Sequence, residues 1–463
     1  MRILFVVYDN DSYIHQFPMG LAYISSVLLR DGYDITIYNQ DMHHYPDEHL
    51  TQYLNENKFD VVGISIIAGY YQYKKLLTIS EAINKSKNRP TYLLGGHGPS
   101  PEPEFFLQKT EADIAIIGEG EDTIKELMDA LANSKSLGEL KGIAYRQGDK
   151  VVVNQRRPLI KDVDSIPHPA WNLFPVDYHR LIRIGPHSQK TDFLMPVMSG
   201  RGCTFECNFC YRMDTGFRPR SNEAIIEEIE ILKKDYRINY IDFLDELLMT
   251  SKKRTISLCE SFLKAKLNVK WKCNGRLNYA KKEVLQLMKR SGCTFINYGI
   301  ESMDNTVLKN MKKGLTTEQV FKGVEATLAA GISPGLNIIF GNIGENKEVL
   351  MKGVEFLLKY DDGAQLRTIR PVTPYPGSPL YYNAIEKGLI ANCEDFYENK
   401  HINADLVTVN FADMSDDEFH QSLLEANTIL LKNYYKNKLK NSLREAKDLY
   451  QRKNVTFRGF RQT

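Results

Sequence analysis

The chain has 463 residues, of which 60 are Lys or Arg and 58 are Asp or Glu, giving a formal net charge of +2. This balance excludes both the basic footprint of a nucleic-acid-binding protein and the composition of an acidic solvating tail. Hydrophobic residues make up 43% and charged residues 25%, values that exclude wholesale disorder and fibrous repeats.

No stretch of the sequence approaches the roughly 18 consecutive apolar residues of a membrane span, and the N-terminal apolar run is too short for a signal peptide. We therefore expect a cytoplasmic protein of about three domains. Seven cysteines is an odd number, and three of them lie within eight residues. That distribution favours metal binding in a reducing compartment over a disulfide scaffold.

Short apolar runs alternate with amphipathic stretches over residues 1–135, which predicts a domain of repeated strand–helix units. The predicted strands are Ile3–Tyr8, Ile35–Tyr38, Val61–Ile67, Tyr92–Leu94 and Ile114–Ile117. Because these runs are apolar on both faces, they suit a doubly wound parallel α/β sheet with helices on both sides. Its ligand site should lie at the carboxyl ends of the strands, in the loops Asn10–Met19, Ala68–Tyr73, Gly95–Pro99 and Gly118–Glu121.

A hairpin and a proline-rich linker are predicted for residues 136–190, where Pro167, Pro169 and Pro175 restrict the orientation of the flanking domains. A second strand–helix alternation follows over residues 191–390. Its predicted strands are Met195–Ser199, Tyr240–Leu244, Lys270–Asn274, Phe295–Ile300, Leu336–Phe340 and Gln365–Ile369. Six units are too few to close an eight-stranded barrel, so we expect a partial barrel. Residues 391–463 should be mainly helical, with one long helix from about Ser415 to Lys447.

The strongest local signal is Cys203-Thr-Phe-Glu-Cys207-Asn-Phe-Cys210, a C-x3-C-x2-C run after the first strand of the predicted barrel. A loop this short can direct three sulfurs toward one inorganic centre. One alternative is zinc, but a structural zinc site takes four ligands, and the other four cysteines offer no paired partner. The second alternative is a 4Fe-4S cluster, in which three thiolates leave one iron open to another ligand. The other four cysteines are expected in the core; they are Cys259, Cys273, Cys293 and Cys393.

The cysteine spacing, with an aromatic residue before the last cysteine, resembles that of the radical S-adenosylmethionine (SAM) enzymes. The resemblance implies that the three thiolates ligate a 4Fe-4S cluster whose open iron binds SAM. An electron from the reduced cluster then cleaves SAM to a 5'-deoxyadenosyl radical. The implied SAM contacts follow successive barrel strands. They are Phe209 within the motif, Asp245 and Glu246 for the ammonium group, Arg276 for the carboxylate, Glu301 for the ribose and Gly341 for the adenine.

The first 130 residues resemble the cobalamin-binding domain that is fused to one large class of radical SAM enzymes. The likeness rests on Phe17–Ile24, Leu94–Pro99 and Ile117–Glu121, and further on Ile166–Trp171 and Pro374–Leu380. It implies cobalamin contacts from strand-end residues, because glycine lets the backbone approach a flat macrocycle. These residues are Ser65, Tyr70, Gly95, Gly96, His97, Gly118, Glu119 and Gly120, with Tyr71 and Tyr73 expected on the same face as Tyr70.

Many cobalamin proteins carry Asp-x-His-x-x-Gly in the first strand–helix loop, where the His coordinates cobalt. Here His15 lacks the Asp two residues earlier and the Gly three residues later, so we do not expect it to ligate cobalt. Two alternatives remain: a corrinoid held without a protein His, and a relic domain without a cofactor. A related methylthiotransferase group needs extra cysteines in its N-terminal domain, and residues 1–202 contain none.

The resemblance implies a cobalamin-dependent radical SAM enzyme that methylates an unactivated carbon, with the adenosyl radical removing a hydrogen atom and methylcobalamin supplying the methyl group. Cyclisation, ring contraction or rearrangement with the same cofactors is the alternative, and a cobalamin-binding protein without chemistry is a third.

The implied partners are a small-molecule substrate and an external electron donor such as flavodoxin or ferredoxin, with no nucleic acid and no membrane. The carboxyl ends of both sheets should face one shared cavity. Substrate selectivity is expected from the segment after about Ala391, with Tyr397, Tyr434 and Tyr435.

Overall fold

The computed structural model describes residues 1–463 except 12–16, 182–187, 190, 214, 362, 364, 404 and 455–463. Two α/β units follow one another along the chain, and a mainly helical region follows the second. This is the fold class predicted from the sequence. Within the described ranges, no helix combines the length and apolar composition needed to cross a bilayer.

The first sheet, as far as the chain is described, has seven strands in the order β2-β1-β3-β4-β5-β6-β7, of which β1 to β5 are parallel. They are β1 (Arg2–Val7), β2 (Asp34–Asn39), β3 (Val61–Ser65), β4 (Thr91–Gly95), β5 (Ile114–Ile116), β6 (Ile143–Gln147) and β7 (Lys150–Val153). Ile3 and Phe5 belong to the core on one face, and Leu4 and Val6 to the core on the other. This two-sided burial explains the continuously apolar strand sequences.

Helices cover both faces of this sheet. They are α1 (Met19–Arg30), α2 (Gln40–His43), α3 (Asp47–Glu56), α4 (Tyr70–Asn84), α5 (Pro103–Thr110) and α6 (Glu121–Ala132). Leu21 of α1 and Ile124 of α6 join the core that contains Phe5. Leu76 of α4 and Phe106 of α5 join the opposite core. The first unit is therefore doubly wound, as predicted.

The hairpin predicted within residues 136–190 forms, but it belongs to the first sheet. Ala144 of β6 pairs antiparallel with Ala115 of β5, and β7 pairs with β6. Asn154 fixes the return of the chain by donating to the carbonyl oxygens of Leu137 and Leu140 at 2.7 and 2.8 Å. The sheet thus extends past the boundary expected at residue 135, because the hairpin satisfies the open edge of β5.

The proline-rich segment packs against the first unit. The ring centroid of Trp171 lies 4.9 Å from that of Phe17. The backbone N–H of Ala170 donates to the carbonyl oxygen of Ala22 at 3.0 Å. A short helix, α7 (Val176–Leu181), follows. These contacts hold the linker on helix α1 before the chain enters the second unit.

The second sheet is parallel, with the order β15-β14-β13-β12-β11-β8 over the described residues. Its strands are β8 (Leu194–Val197), β11 (Tyr240–Phe243), β12 (Lys270–Gly275), β13 (Cys293–Glu301), β14 (Ser333–Phe340) and β15 (Arg370–Pro371). A separate two-stranded ribbon is formed by β9 (Gly200–Arg201) and β10 (Arg218–Pro219). Six parallel strands form the expected partial barrel.

The sixth strand is not where the sequence predicts it. Gln365–Ile369 was expected to be the strand, whereas β15 begins at Arg370. The side chain of Asn427 donates to the carbonyl oxygen of Ile369 and accepts from its N–H, at 2.9 and 2.8 Å. Since this amide replaces strand pairing at Ile369, the preceding residues run outside the sheet.

Helices surround the barrel strands. They are α8 (Asn222–Tyr236), α9 (Lys252–Ala265), α10 (Lys282–Arg290), α11 (Asn305–Asn310), α12 (Thr317–Ala329) and α13 (Lys347–Lys359). Side-chain caps begin several of them, including Ser221 for α8, Ser251 for α9 and Asn346 for α13. Each cap satisfies a backbone N–H that the helix itself cannot.

The C-terminal region packs against both units. It contains α14 (Pro379–Glu386), α15 (Cys393–Asp395), β16 (His401–Asn403), β17 (Leu406–Val407) and α16 (Asp416–Tyr450). Ser415 caps α16, so the long predicted helix is confirmed. Tyr397 is buried and stacks on Tyr73 of the first unit, with ring centroids 4.7 Å apart. Tyr397 is therefore a packing residue rather than the substrate-facing one expected.

Candidate functional site

The three motif cysteines lie on the loop of residues 202–217, which we call the cysteine loop. The loop leaves the barrel through β9 and returns through β10, with Arg201 directly opposite Arg218. Gly202 has φ +85°, and a Cβ there would lie 2.4 Å from the carbonyl oxygen of Gly216. Only glycine fits this turn, which starts the loop toward the barrel mouth.

The thiols of the loop differ in environment. Cys207 is buried, and Cys203 and Cys210 are partly exposed. A hydrogen bond from the Cys210 thiol, together with the charges of Lys313 and Arg276, lowers the pKa of Cys207. The same hydrogen bond raises the pKa of Cys210, and burial raises that of Cys203. The loop thus favours thiolate, the form of cysteine that ligates metals, at Cys207. The remaining thiols are buried, as predicted; they are Cys259, Cys273, Cys293 and Cys393.

A cavity of about 290 Å³ opens at the carboxyl ends of the barrel strands, and the three thiols line it. Four predicted SAM contacts line it as well: Phe209, Glu246, Arg276 and Glu301. The other lining residues are Phe205, Tyr211, Arg212, Leu247, Asn274, Gly275, Asn297, Gly299, Lys313 and Asn337. The barrel therefore brings together most of the SAM contacts expected from the sequence.

Two cationic side chains lie near the thiols. The guanidinium carbon of Arg276 is 3.5 Å from the centroid of the Phe205 ring. Its Nε and Nη2 atoms are buried without a hydrogen-bond partner. Lys313, which the sequence analysis missed, places Nζ 2.9 Å from Oε1 of Glu301. Buried donors of Arg276 beside a cavity fit an anionic ligand group such as a carboxylate.

A row of three asparagines, also missed, crosses the cavity wall. Asn274 donates to the carbonyl oxygen of Asp245 at 2.9 Å, and Asn297 donates to Asn274 at 3.2 Å. Asn337 donates to Asn297 at 2.8 Å. Because a backbone carbonyl can only accept, it fixes the direction of the whole row and leaves Oδ1 of Asn337 as an acceptor. The available signal was one asparagine on each of three consecutive strands.

Two predicted SAM contacts, Asp245 and Gly341, are not among the residues that line the cavity. The carboxylate of Asp245 is fully buried and accepts from the N–H and the hydroxyl of Ser199 at 3.0 and 2.9 Å. Burial raises its pKa to about 6. Gly341 has φ +104°, and a Cβ there would lie 2.7 Å from the Phe419 ring. Asp245 closes the end of β8 and Gly341 admits α16. Their contacts with SAM stay predictions.

Strand-end loops predicted to contact cobalamin lie side by side in the first unit. Ser65 of β3 pairs with Gly95 of β4. A Cβ on Gly95 would meet open space, whereas one on Gly96, at φ +98°, would lie 2.3 Å from the carbonyl oxygen of Ile66. The next side chain, Ile67, is 41% exposed. Bare backbone beside an exposed apolar side chain fits the surface of a flat macrocycle.

The aromatic residues near these loops differ in their surroundings. Tyr70 lies edge-on to His401, with centroids 6.3 Å apart. Tyr73 is fully buried, so it does not line the strand-end surface as expected. His97 is exposed, and its ring lies 6.1 Å from that of Tyr211. His15, not expected to ligate cobalt, lies outside the described residues.

Glu119, flanked by Gly118 and Gly120, faces the cysteine loop. Its Oε1 is 3.0 Å from Nη1 of Arg201, and its Oε2 is 2.8 Å from Nη1 of Arg218. The side chain is only 7% exposed. With both carboxylate oxygens engaged by arginines, the side chain of Glu119 joins the two units. Its contact with cobalamin stays a prediction.

The cavity is lined by the cysteine loop and the barrel, so it is not the cavity shared by both sheets that we expected. Tyr211 stands where the two units meet. Gly377, at φ +88°, fits between Tyr211 and Pro101, which a Cβ would approach to 2.5 and 2.7 Å. The Tyr211 ring thus lies between the barrel cavity and the loop containing His97.

Comparison with known proteins matches both units to described families. Residues 197–357 match the radical SAM superfamily, and residues 9–128 match the B12 binding domain. An uncharacterized methyltransferase of Pyrococcus horikoshii is 31% identical over 402 residues, covering 84% of each chain. The chain is a radical SAM enzyme with a B12-binding domain.

Relatives of this radical SAM enzyme differ in named activity. The anaerobic magnesium-protoporphyrin IX monomethyl ester cyclase of Rubrivivax gelatinosus is 25% identical over 389 residues, covering 82% of this chain and 68% of the cyclase. The solved structure of the radical SAM methyltransferase TsrM from Kitasatospora setae, with cobalamin and a [4Fe-4S] cluster bound, superposes with a TM-score of 0.72 at 15% identity, covering 92% of this chain and 88% of TsrM. That similarity concerns the fold.

The cofactors of this class are a 4Fe-4S cluster, SAM and cobalamin, which confirms the set expected from the sequence. The donor set fits them. Among the described residues, no three His, Cys, Asp or Glu side chains are arranged to hold a single metal ion. A 4Fe-4S cluster instead binds each thiolate through a different iron, and three thiolates leave the fourth iron for SAM.

Proposed function

We propose that this enzyme transfers a methyl group from SAM to an unactivated carbon of a small molecule, using the cluster and the corrinoid in one reaction. The observation that carries the proposal is the contact between the cysteine loop and the corrin-side loops. Tyr211 follows Cys210 directly; its ring centroid lies 6.1 Å from that of His97, and Gly377 fits between it and Pro101 of the first unit. A radical source and a methyl source so close to each other suit reaction at a single substrate carbon.

Cys203, Cys207 and Cys210 would hold the cluster, whose reduced form supplies the electron that cleaves SAM. The chain contributes positive charge beside the thiolates from Arg276 and Lys313. It also buries Cys207 and so keeps water from that side of the centre. The positive charge favours an anionic cluster, because it offsets the cost of burying that charge.

Arg276 would pair with the carboxylate of SAM, because its Nε and Nη2 donors are buried beside the cavity and without a protein acceptor. Glu246 lines the cavity, whereas the Asp245 carboxylate is buried against Ser199, so Glu246 would contact the SAM ammonium group. Glu301 is held by Lys313, which would orient the carboxylate toward the ribose hydroxyls. The carboxylate and the ammonium group share one carbon of SAM, and side chains of opposite charge on these two groups would set the orientation of that carbon.

Cobalamin would lie on the strand-end surface of the first unit and would supply the transferred methyl group. The residues proposed to contact it are Ser65, Tyr70, Gly95, Gly96, His97, Gly118 and Gly120. Open space over Gly95 and the exposed side chain of Ile67 support this placement. We assign corrinoid binding to residues 1–135 with hairpin β6–β7, radical formation to residues 191–390 and packing to residues 391–463.

The substrate would enter the barrel mouth, where Asn337 is exposed at the end of the asparagine row. Abstraction of a hydrogen atom from an unactivated carbon needs no catalytic base. The ion-paired carboxylate of Glu301 therefore does not have to act as one. An external one-electron donor such as flavodoxin or ferredoxin is the proposed partner, since each SAM cleavage consumes one electron.

The test is anaerobic turnover of the reconstituted enzyme with methyl-deuterated SAM, a chemical reductant and candidate small molecules made by neighbouring genes. We expect deuterium in the product, with 5'-deoxyadenosine and S-adenosylhomocysteine formed in equal amounts.

The second candidate function is a cyclisation or rearrangement with the same cofactors. It is favoured by the similarity to the anaerobic cyclase over 82% of the chain. In that case substrate is consumed and 5'-deoxyadenosine is formed without S-adenosylhomocysteine.

A further inference from the structure

Phe205 of the cysteine loop covers the guanidinium group of Arg276. The guanidinium carbon lies over the ring, 3.5 Å from its centroid, which is van der Waals contact. Both side chains line the cavity that contains the three thiols. Phe205 lies between Cys203 and Cys207 in the sequence. The part of the loop that carries two of the thiols thus also contacts the arginine proposed to bind the SAM carboxylate.

Gly314, in the segment between α11 and α12, also lies close to this guanidinium group. Its φ is +60°, and a Cβ there would lie 3.3 Å from Nη2 of Arg276. Arg276 is only 5% exposed. A guanidinium group that is stacked on a ring and bounded by a second segment has few orientations left. Binding of a ligand to Arg276 therefore costs little further side-chain entropy.

The stacked arginine keeps two hydrogen-bond donors for a ligand. Nε and Nη2 are buried and have no hydrogen-bond partner among the described residues. These two nitrogens share one edge of the guanidinium group, and such an edge can pair with both oxygens of a carboxylate. An aromatic face attracts a guanidinium group without using its N–H donors. Phe205 can therefore hold Arg276 in place and leave this edge to the ligand.

We propose that Phe205 is a positioning residue for SAM: its ring orients Arg276 so that the edge with Nε and Nη2 faces the SAM carboxylate. This inference rests on the proposed function only in pairing Arg276 with that carboxylate. It adds a second task for the cysteine loop, which would order the SAM-binding arginine as well as bind the cluster. The SAM site is then complete only when the loop is in place.

The test measures SAM affinity of cluster-loaded, full-length variants by anaerobic calorimetric titration, with iron per chain determined for each. F205L and F205M remove the aromatic face and keep an apolar side chain, whereas F205Y keeps the face. F193L is the matched control, because the guanidinium carbon of Arg180 lies over the Phe193 ring, 4.9 Å from its centroid, and neither residue lines the cavity. Decarboxylated SAM is the second probe, since it has the adenosine and ammonium groups of SAM but no carboxylate.

We expect F205L and F205M to bind SAM about fivefold more weakly than the wild type, the effect of losing one desolvated cation–π contact. F205Y and F193L should match the wild type. Affinity for decarboxylated SAM should not change in F205L, because the ring acts only through the carboxylate contact. F205L/R276K should lose about tenfold, no more than R276K alone, since lysine has no planar group for the ring to orient.

Wild-type SAM affinity in F205L and F205M would overturn the proposal. So would a loss of about fiftyfold in F205L/R276K, the result for two independent contacts, or equal weakening for decarboxylated SAM. Loss of the cluster from both F205L and F205M would also overturn it, because Phe205 would then hold the loop rather than the arginine. Normal SAM affinity in R276K would refute the carboxylate contact itself. No readout depends on methyl transfer, so failure of the transferase proposal is seen separately.

Discussion

Asn208 and Asn342 exchange two side-chain hydrogen bonds, each amide donating to the other at 3.1 and 3.0 Å. Asn208 lies between Cys207 and Cys210, and Asn342 follows β14 on the far side of the barrel. Both side chains are buried. The backbone carbonyl of Asn208 also accepts from Leu380 at 2.8 Å. The middle of the cysteine loop is thus held by the barrel.

We expect N342A to weaken cluster binding, because Oδ1 of the buried Asn208 side chain then loses its donor, at a cost of about 1–3 kcal/mol. The measurement is iron retention during chelator challenge. N239A is the control, since Asn239 also makes two hydrogen bonds, to Phe193 and Thr191, at the start of β11. Equal iron loss from both variants would contradict a specific role for the Asn208–Asn342 pair.

The three loop thiols should be sufficient for the cluster. Anaerobically purified wild-type protein should carry about four irons and four sulfides per chain, with a spectrum that changes when SAM is added. C203A/C207A/C210A should carry none, whereas C259A/C273A/C293A alters buried thiols only and should retain it. Full iron content in the first triple variant would refute the assignment.

Arg276 should control SAM affinity. Lysine in its place keeps the charge but loses the planar fork that pairs with a carboxylate in two parallel hydrogen bonds. We expect R276K to bind SAM about tenfold more weakly, a loss of about 1.4 kcal/mol. SAM titration monitored by the cluster spectrum measures it. R89K, which alters an ion pair with Asp113 in the first unit, should bind SAM normally; equal weakening in R89K would argue against the contact.

Corrinoid uptake should depend on the open space over Gly95. G95F places a ring where no protein atom lies within 4 Å of a Cβ added at that residue, so the fold should tolerate it while the corrin surface is blocked. Hydroxocobalamin uptake should fall sharply in G95F and persist in G95A.

H15A should leave the cobalt spectrum unchanged, because the sequence around His15 lacks the ligating pattern. A spectral shift in H15A would show that this residue binds cobalt.

Glu345 should make stability depend on pH. Burial raises its pKa to about 8, and its Oε2 accepts from the N–H groups of Gly341 and Asn342 at 2.7 and 2.9 Å. The unfolded carboxyl has an ordinary pKa near 4.5. Between these values the folded state binds more protons than the unfolded state, so the contribution of Glu345 to stability falls as pH rises, by up to about 1.4 kcal/mol per pH unit.

E345Q removes this titration. The melting temperature of E345Q relative to the wild type should therefore rise between pH 5 and pH 8. A difference in melting temperature that stays constant across this range would contradict the raised pKa.

Much of the fold could be predicted because its causes are local. The continuous apolar runs of β1 to β5 reveal two-sided burial, and Ser415 marks the start of α16. The sixth barrel strand could not be located from sequence, because Asn427, 58 residues after Ile369, replaces its pairing. A long-range side-chain contact of this kind leaves no local pattern.

Part of the cavity lining could be predicted for the same reason. The cysteine spacing singles out the loop that lines the cavity, and Arg276 and Glu301 follow strand ends that can be recognised. Asp245 and Glu246 are adjacent acids, and which one faces the cavity depends on Ser199 packing beneath Asp245. The pairing of Glu119 with Arg201, 82 residues apart, depends on how the two units dock.

The central claim is that SAM supplies a methyl group through the bound corrinoid, and it can be measured without the substrate. Reduced wild-type enzyme loaded with cluster and hydroxocobalamin is incubated with methyl-deuterated SAM, with corrinoid-free protein as the control. The account predicts S-adenosylhomocysteine and recovery of the deuterated methyl group on the protein-bound corrinoid, both dependent on cobalamin. Formation of 5'-deoxyadenosine with no S-adenosylhomocysteine and an unlabelled corrinoid would contradict it.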